Sequence, residues 1–180
     1  MKLVILDRDG VINQDSDAYI KHPDEWIPIP GSLEAIARLN HAGYRVVVAT
    51  NQSGLGRGLF NIDQLNAIHK KMFSALSQQG GHINSIFFCP HKPDEDCDCR
   101  KPKPGLLLEI ANRLDIDLAE AVFIGDSLKD IQAARSAGAQ PTLVLTGKGS
   151  KTLSQLKDSD NIPTYSDLSA AADALIANTA

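Results

Sequence analysis

The sequence predicts an α/β fold, a doubly wound and mainly parallel sheet with helices on both faces. Three observations predict it. Short runs rich in Val, Ile and Phe recur without polar alternation, helical periodicities stand between them, and the residues that fit neither pattern gather after the runs. A strand that is apolar on both sides needs helices over both sides. At 180 residues and 43% hydrophobic composition, the chain suits one domain burying roughly 70% of its unfolded surface. It reads as a single domain over residues 1–180, with no linker, repeat or low-complexity tract to divide it.

The first strand is LVIL at 3–6, followed by a loop over 13–30 that fits no element. SLEAIARLNHAG is a helix with Ser32 as its N-cap and Gly43 as its stop, and RVVVAT at 45–50 is the second strand. Residues 62–79 put Ile62, Leu65, Ile68, Met72 and Leu76 on one helical face, ending at Gly80-Gly81. INSIFF at 83–88 is the third strand, and 89–103 is again irregular. PGLLLEIANRL starts a helix with Pro104 in its first turn. AVFIG at 121–125 is the fourth strand, SLKDIQAARSAG a helix ending at Gly138, and TLVL at 142–145 the fifth strand. SDLSAAADALIAN closes the chain as a helix from Ser166 and, with the polar stretch before it, reads as scaffold. Open sheets of this kind bind ligands beyond the carboxyl ends of their strands. The irregular segments 13–30 and 89–103 are expected at that edge.

A formal net charge of −4, with 18 basic and 22 acidic residues dispersed along the chain, leaves no electrostatic footprint for nucleic acid or an anionic membrane. Any bound anion must be held locally. MKLVILDRDG has only four apolar residues before a charge, which fits neither a secretory signal nor an anchor, so a cytoplasmic protein is expected.

D-x-D occurs six times, so spacing alone selects nothing. Only Asp7 and Asp9 directly follow an apolar strand and precede a glycine. Two carboxylates held together there repel each other and call for a cation, and oxygen ligands suit Mg²⁺. VVVATNQSG ends the second strand with a hydroxyl and a turn whose N–H groups can hold phosphoryl oxygens, and VFIGDSLKD brings Asp126 to the same edge. RKPKPG adds Arg100, Lys101 and Lys103.

CPHKPDEDCDC gathers Cys89, His91, Cys97 and Cys99. Three thiolates and an imidazole match a closed tetrahedral Zn²⁺ site, read here as a structural zinc loop over 89–99; a redox pair or ordinary buried thiols is the plainer reading.

Taken in order, DRDGV, TNQSG, RKPKPG and GDSLKD at successive strand ends resemble the haloacid dehalogenase-like phosphohydrolases over about residues 1–150. The resemblance implies Asp7 as the nucleophile that forms an aspartyl-phosphate and Asp9 as the general acid and base. It also implies Thr50 and Lys101 as stabilisers of the phosphoryl group, and Mg²⁺ on Asp7, Asp126 and the backbone carbonyl of Asp9. Lys103 rivals Lys101, and Asp130 is expected to support the site without touching the metal. The 37 residues between Asp9 and Val47 hold one loop and one helix, and no later insertion is long enough for a separate cap domain.

The cysteine loop, together with N-Q-D-S-D-A-Y-I-K-H-P-D-E-W, is similar to the histidinol-phosphatase-like branch and, within it, to the heptose-bisphosphate phosphatases. A small-molecule sugar bisphosphate losing its C7 phosphate is therefore the expected substrate, in heptose synthesis for lipopolysaccharide, with a monomer expected. Asp15, Ser16, Asp17, Ala18, Asn51, Gln52, Ser53 and Arg100 are the substrate-facing candidates. Arg57 is considered for a distal phosphate and His22 for substrate contact, although solvated loop positions suit both. Trp26 reads as a packing anchor. Histidinol-phosphate hydrolysis stays open, as does a non-catalytic phosphate-binding or zinc interaction module.

Overall fold

The computed structural model describes residues 2–157 and 160–178. Six strands form one sheet: β1 (Leu3–Leu6), β2 (Arg45–Asn51), β3 (Ser85–Cys89), β4 (Val122–Gly125), β5 (Gln140–Val144) and β6 (Thr164–Tyr165). Their order is β3-β2-β1-β4-β5-β6, with every neighbouring pair parallel. The connecting helices are α1 (Ser32–His41), α2 (Ser53–Gly56), α3 (Ile62–Gln78), α4 (Gly105–Leu114), α5 (Leu128–Ala137), α6 (Gly149–Leu153) and α7 (Leu168–Ala177). This is the doubly wound sheet the sequence predicts.

The two-sided apolarity of β1 has a direct cause. Val4 and Leu6 pack with Ile36, Leu39, Ile68, Met72 and Ala171 under α1, α3 and α7. Leu3 and Ile5 pack on the opposite face with Leu106, Ile110, Ala133 and Ala134 under α4 and α5. All four side chains of β1 are buried, so neither face tolerates a polar residue.

The strand order reverses between β1 and β4, and ligands bind at that reversal in sheets of this type. Leu6 stands opposite Ile124, and the Asp7 N–H donates to the Ile124 carbonyl at 3.0 Å. That bond carries the ladder one residue past β1. Asp7 and Asp126 consequently leave the sheet beside each other.

Several boundaries differ from the sequence reading. Gly31, at φ +81°, is the N-cap of α1, while Ser32 lies inside the helix and its Oγ donates to the Ile12 carbonyl at 2.6 Å. The hydroxyl thus pins the first long loop, where capping was expected. β3 starts at Ser85 because Asn84 bonds Val46 through both its N–H and its Oδ1, and it runs on to include Cys89. The elements α2, α6 and β6 are two to five residues long, too short for a periodic signal.

Trp26 is 1% exposed and anchors the 13–30 loop against the core, while Lys71 Nζ donates to the carbonyls of Pro23 and Trp26. His22 caps a short 3-10 turn at Pro23–Glu25. No connection builds a separate cap among the described residues, and none of their helices is long and apolar enough to cross a membrane.

Candidate active site

The turn after β1 works because Gly10, at φ +83°, lets the chain fold back under Asp126. A Cβ at Gly10 or at Gly147 (φ +56°) would overlap the Asp126 carboxylate. The loop after β5 completes this box: Lys148 N–H donates to Asp126 Oδ2 at 2.7 Å, and Thr146 Oγ1 to the Gly10 carbonyl at 2.6 Å. Thr152 Oγ1 donates to the Asp126 carbonyl at 2.8 Å. Sequence reasoning missed this loop, since T-G-K-G reads as an ordinary turn.

Asp7, Asp126 and Asp130 each place one carboxylate oxygen within 4.8 Å of the others. Against them stands a single buried ammonium. Lys101, 2% exposed, sets its Nζ 3.0 Å from Asp7 Oδ2, 2.7 Å from Asp130 Oδ1 and 2.9 Å from the Ala49 carbonyl. The ammonium therefore donates to the Ala49 carbonyl and forms ion pairs with both carboxylates. Asn51 holds the lysine backbone from both sides, donating to its carbonyl at 3.0 Å and accepting from its N–H at 3.1 Å. Lys103 is instead half exposed and pairs with Asp96 and Asp98, away from the acid cluster that Lys101 faces.

The charges are strained by burial. Desolvation raises Asp7 well above the usual carboxylate range, and Asp130, Asp126 and Asp9 add to this while Lys101 opposes it. Desolvation first, then Asp130, pushes Asp126 up to about 7. Burial would lower Lys101, but Asp130 and Asp7 outweigh it and raise its pKa. Carboxylates raised in this way lack positive charge, and that is a reason to expect a divalent cation.

For ligand distances of about 2.1 Å, oxygens on opposite sides of Mg²⁺ stand ~4.2 Å apart, so the acid cluster has a fitting span. Asp130 is already committed: its Oδ1 faces Lys101, and its Oδ2 accepts from the Ser127 N–H (3.0 Å) and Oγ (2.6 Å) in the capping box of α5. Asp7 also accepts from the Arg8 N–H at 2.7 Å through Oδ1, but of the two acids that face Lys101 it is the more open, 13% exposed against 1% for Asp130.

Asp9 behaves differently. Burial would raise it too, but the Arg8 guanidinium and hydrogen bonds from Arg8, Asn13 and Gln52 hold it below the usual carboxylate range. Thr50 is 1% exposed, and its Oγ1 accepts from Gln52 Nε2 at 3.0 Å.

One cavity of about 690 Å³ takes in Asp7, Asp9, Thr50, Lys101 and Asp126. Asp15, Ser16, Asp17, Asn51, Gln52, Ser53 and Arg100 line it as well, so the loop candidates and the strand-end candidates meet. Ala18 is not among the lining residues; its carbonyl accepts from Lys21 Nζ. Arg57 is exposed at the end of α2 and stays outside. The cations that sequence reasoning missed here are Lys129, Lys148 and Lys151. Desolvation, followed by Arg100 and Lys148, lowers the pKa of Lys129, while Lys148 Nζ pairs with Asp15 Oδ2 at 2.9 Å.

Cys89, His91, Cys97 and Cys99 converge with all ligand atoms within 4.8 Å of one another. Cys89 Sγ lies 3.8 Å from Cys97 Sγ and 3.4 Å from His91 Nδ1, which is 3.3 Å from Cys99 Sγ. A tetrahedral zinc with Zn–S bonds of about 2.3 Å has thiolate–thiolate edges of ~3.8 Å, so the cluster fits that ion. Arg100 Nη1 donates to the His91 carbonyl at 3.2 Å, tying this loop to the cavity wall.

A family model described as HAD-hydrolase-like matches residues 98–171. A protein of Bordetella bronchiseptica named D-glycero-beta-D-manno-heptose-1,7-bisphosphate 7-phosphatase is 58% identical over 98% of both chains. The chain belongs to this phosphatase family. A Pseudomonas aeruginosa member bearing the same name is 52% identical over 97% of both chains. The crystal structure of the D,D-heptose 1,7-bisphosphate phosphatase of B. bronchiseptica, complexed with magnesium and phosphate, superposes with a TM-score of 0.96 over 99% of each chain at 58% identity. A Burkholderia thailandensis D,D-heptose 1,7-bisphosphate phosphatase gives 0.78 at 49% identity, covering 98% of this chain and 99% of that one. As a member of the D,D-heptose bisphosphate phosphatase family, the chain is a phosphoric monoester hydrolase of haloacid dehalogenase-like fold.

The raised acids set a pH dependence. Asp126 titrates near 7 in the metal-free fold and near 3.9 in the unfolded chain. Between those values the folded state holds the extra proton, so metal-free stability falls as pH rises from about 4 to about 7. Asp7 acts in the same direction. Mg²⁺ is expected to raise Tm by several degrees at pH 8 and by much less at pH 5 in thermal melts. An equal rise at both would remove the acid cluster as the binding site.

Proposed function

We propose that the protein hydrolyses the C7 phosphate of D-glycero-β-D-manno-heptose 1,7-bisphosphate through an aspartyl-phosphate on Asp7. The observation that carries this reading is the placement of Asp7 against the buried Lys101 at the sheet's reversal point, with Asp9 from the same turn lining the same cavity. Asp7 attacks phosphorus, the bond to the heptose oxygen breaks, and Asp9 gives its proton to the departing alkoxide. Water then attacks the acyl phosphate, Asp9 takes its proton, and Asp7 leaves as carboxylate while hydrogen phosphate departs. Asp9 is thereby returned protonated for the next cycle. A dianionic ester bound beside it favours that protonated state.

Lys101 opposes the charge on the transferring group, and Thr50 and Asn51 position its oxygens. Mg²⁺ held by Asp7, Asp126 and the Asp9 carbonyl would neutralise phosphoryl charge. Asp130 aims Lys101. Asp15, Ser16, Asp17, Gln52, Ser53 and Arg100, which line the cavity, contact the sugar or its second phosphate. Arg100 and Lys129 line the cavity beyond the reacting centre and offer cations to a second phosphate, which favours a bisphosphate over histidinol phosphate. The β anomer is taken from the names of the relatives. In this reading the protein is one domain acting as a cytoplasmic monomer. Zinc on the four-residue cluster is structural, fixing Arg100 and Lys101 at the wall.

Turnover is expected to favour the β over the α anomer, and over histidinol phosphate, by about a hundredfold in kcat/KM, a difference of ~2.7 kcal/mol. Equal or better use of histidinol phosphate would overturn the substrate assignment. Cys97→Ser should lower zinc content measured by metal analysis from about one per chain to a small fraction, since a closed site needs all four ligands. Unchanged zinc content would remove the cluster as its site.

A further inference from the structure

The chemistry above uses Asp9 and leaves two buried groups without a part. Arg8 has no exposed surface and His69 has 7%. Burying a guanidinium is costly unless its donors are met, so what meets them is informative. Arg8 forks onto Asp9, with Nε 3.0 Å from Oδ1 and Nη2 3.1 Å from Oδ2. A fork of this kind fixes the plane of the carboxylate it holds. The remaining edge of the guanidinium, Nη1, lies 3.2 Å from Nε2 of His69, which comes from the middle of α3.

Arginine only donates, so His69 accepts through Nε2 and carries its proton on Nδ1. Burial, with the guanidinium charge second, lowers the His69 pKa to about 4, consistent with a neutral ring. Asn13 Nδ2 adds a bond to Asp9 Oδ1 at 2.9 Å, and Gln52 Nε2 one to Oδ2 at 3.0 Å. Each carboxylate oxygen thus accepts from two donors. Two of the four bonds come from the one group that His69 seats.

We infer that Arg8 and His69 form a positioning pair for the acid and base: His69 seats the guanidinium, and the guanidinium holds the Asp9 carboxyl in the orientation that hands a proton to the leaving oxygen. The inference rests on the phosphatase reading above. It separates this pair from ordinary core packing because its effect depends on the leaving group. A sugar alkoxide needs that proton, whereas a nitro-substituted phenolate departs without it.

The test is kcat/KM of the Mg²⁺-loaded protein for heptose bisphosphate and for a nitrophenyl phosphate, a quantity that reports on steps through the first bond cleavage. His69→Leu is expected to lower the sugar-ester value about tenfold or more, within the range general acid catalysis supplies, and the aryl value by less than about twofold. His69→Gln, whose amide oxygen can accept from Nη1, should recover most of the loss. Arg8→Lys, which cannot fork, should show the same selectivity with a larger fall. Retained aryl activity reports that each variant is folded, and Arg8→Lys decides the matter if His69→Leu does not fold. Parallel losses on both esters, or no loss on the sugar ester, would overturn the inference. Wild-type turnover of the sugar ester separates the two claims. If it is present, the variants judge the pair alone; if it is absent, the phosphatase reading falls and takes the pair's role with it.

Discussion

One buried ammonium governs the site. Four carboxylates, Asp7, Asp9, Asp126 and Asp130, reach the carboxyl edge of a sheet that is apolar on both faces, and such a concentration of negative charge cannot stay ionised without compensation. Lys101 answers two of them, Asp7 and Asp130, while Arg8 answers Asp9. Asp126 alone of the four has no ion-pair partner among the described residues; the backbone N–H of Lys148 donates to it, and burial pushes it up to about 7. The shortfall of positive charge falls where a divalent cation would sit.

This constraint shapes the scaffold around it. Asn51 grips the backbone of Lys101 from the end of β2, Asp130 faces the ammonium from the first turn of α5, and the Ala49 carbonyl accepts its hydrogen bond. The cysteine cluster stands one residue before Arg100, whose side chain in turn bonds the His91 carbonyl. The segment that carries the cluster therefore runs straight into the two cations and is bonded to the first of them. A chain without a cap domain has to select its substrate with such loops.

The fold was readable because both-face burial forces continuous apolar runs: LVIL marks β1 to the residue, and its neighbours fall within a few positions. The strand-end residues were readable because a sheet delivers whatever follows each strand to one edge, so Asp7, Thr50 and Asp126 had to meet near the reversal of strand order. Less accessible were features that depend on distant chain segments. Ser32 looked like a cap and instead bonds Ile12 across the first loop. Gly147 and Lys148 enclose Asp126 only because β5 lies beside β4. His69 lies on the buried stripe of α3 and reads as core until Arg8 is seen against it. Lys129 and Lys148 carry no motif; only the cavity collects them.

The central claim is that Asp7 carries the phosphoryl group between substrate and water. Rapid acid quench of the Mg²⁺-loaded protein in the first turnover with heptose 1,7-bisphosphate, followed by peptide mass mapping, tests it directly. A gain of one phosphoryl group on the N-terminal peptide, localised to Asp7 and lost as free phosphate appears, is the predicted result. Phosphate release with no phosphorylated Asp7 at any quench time, or phosphate found on another residue, would contradict the account.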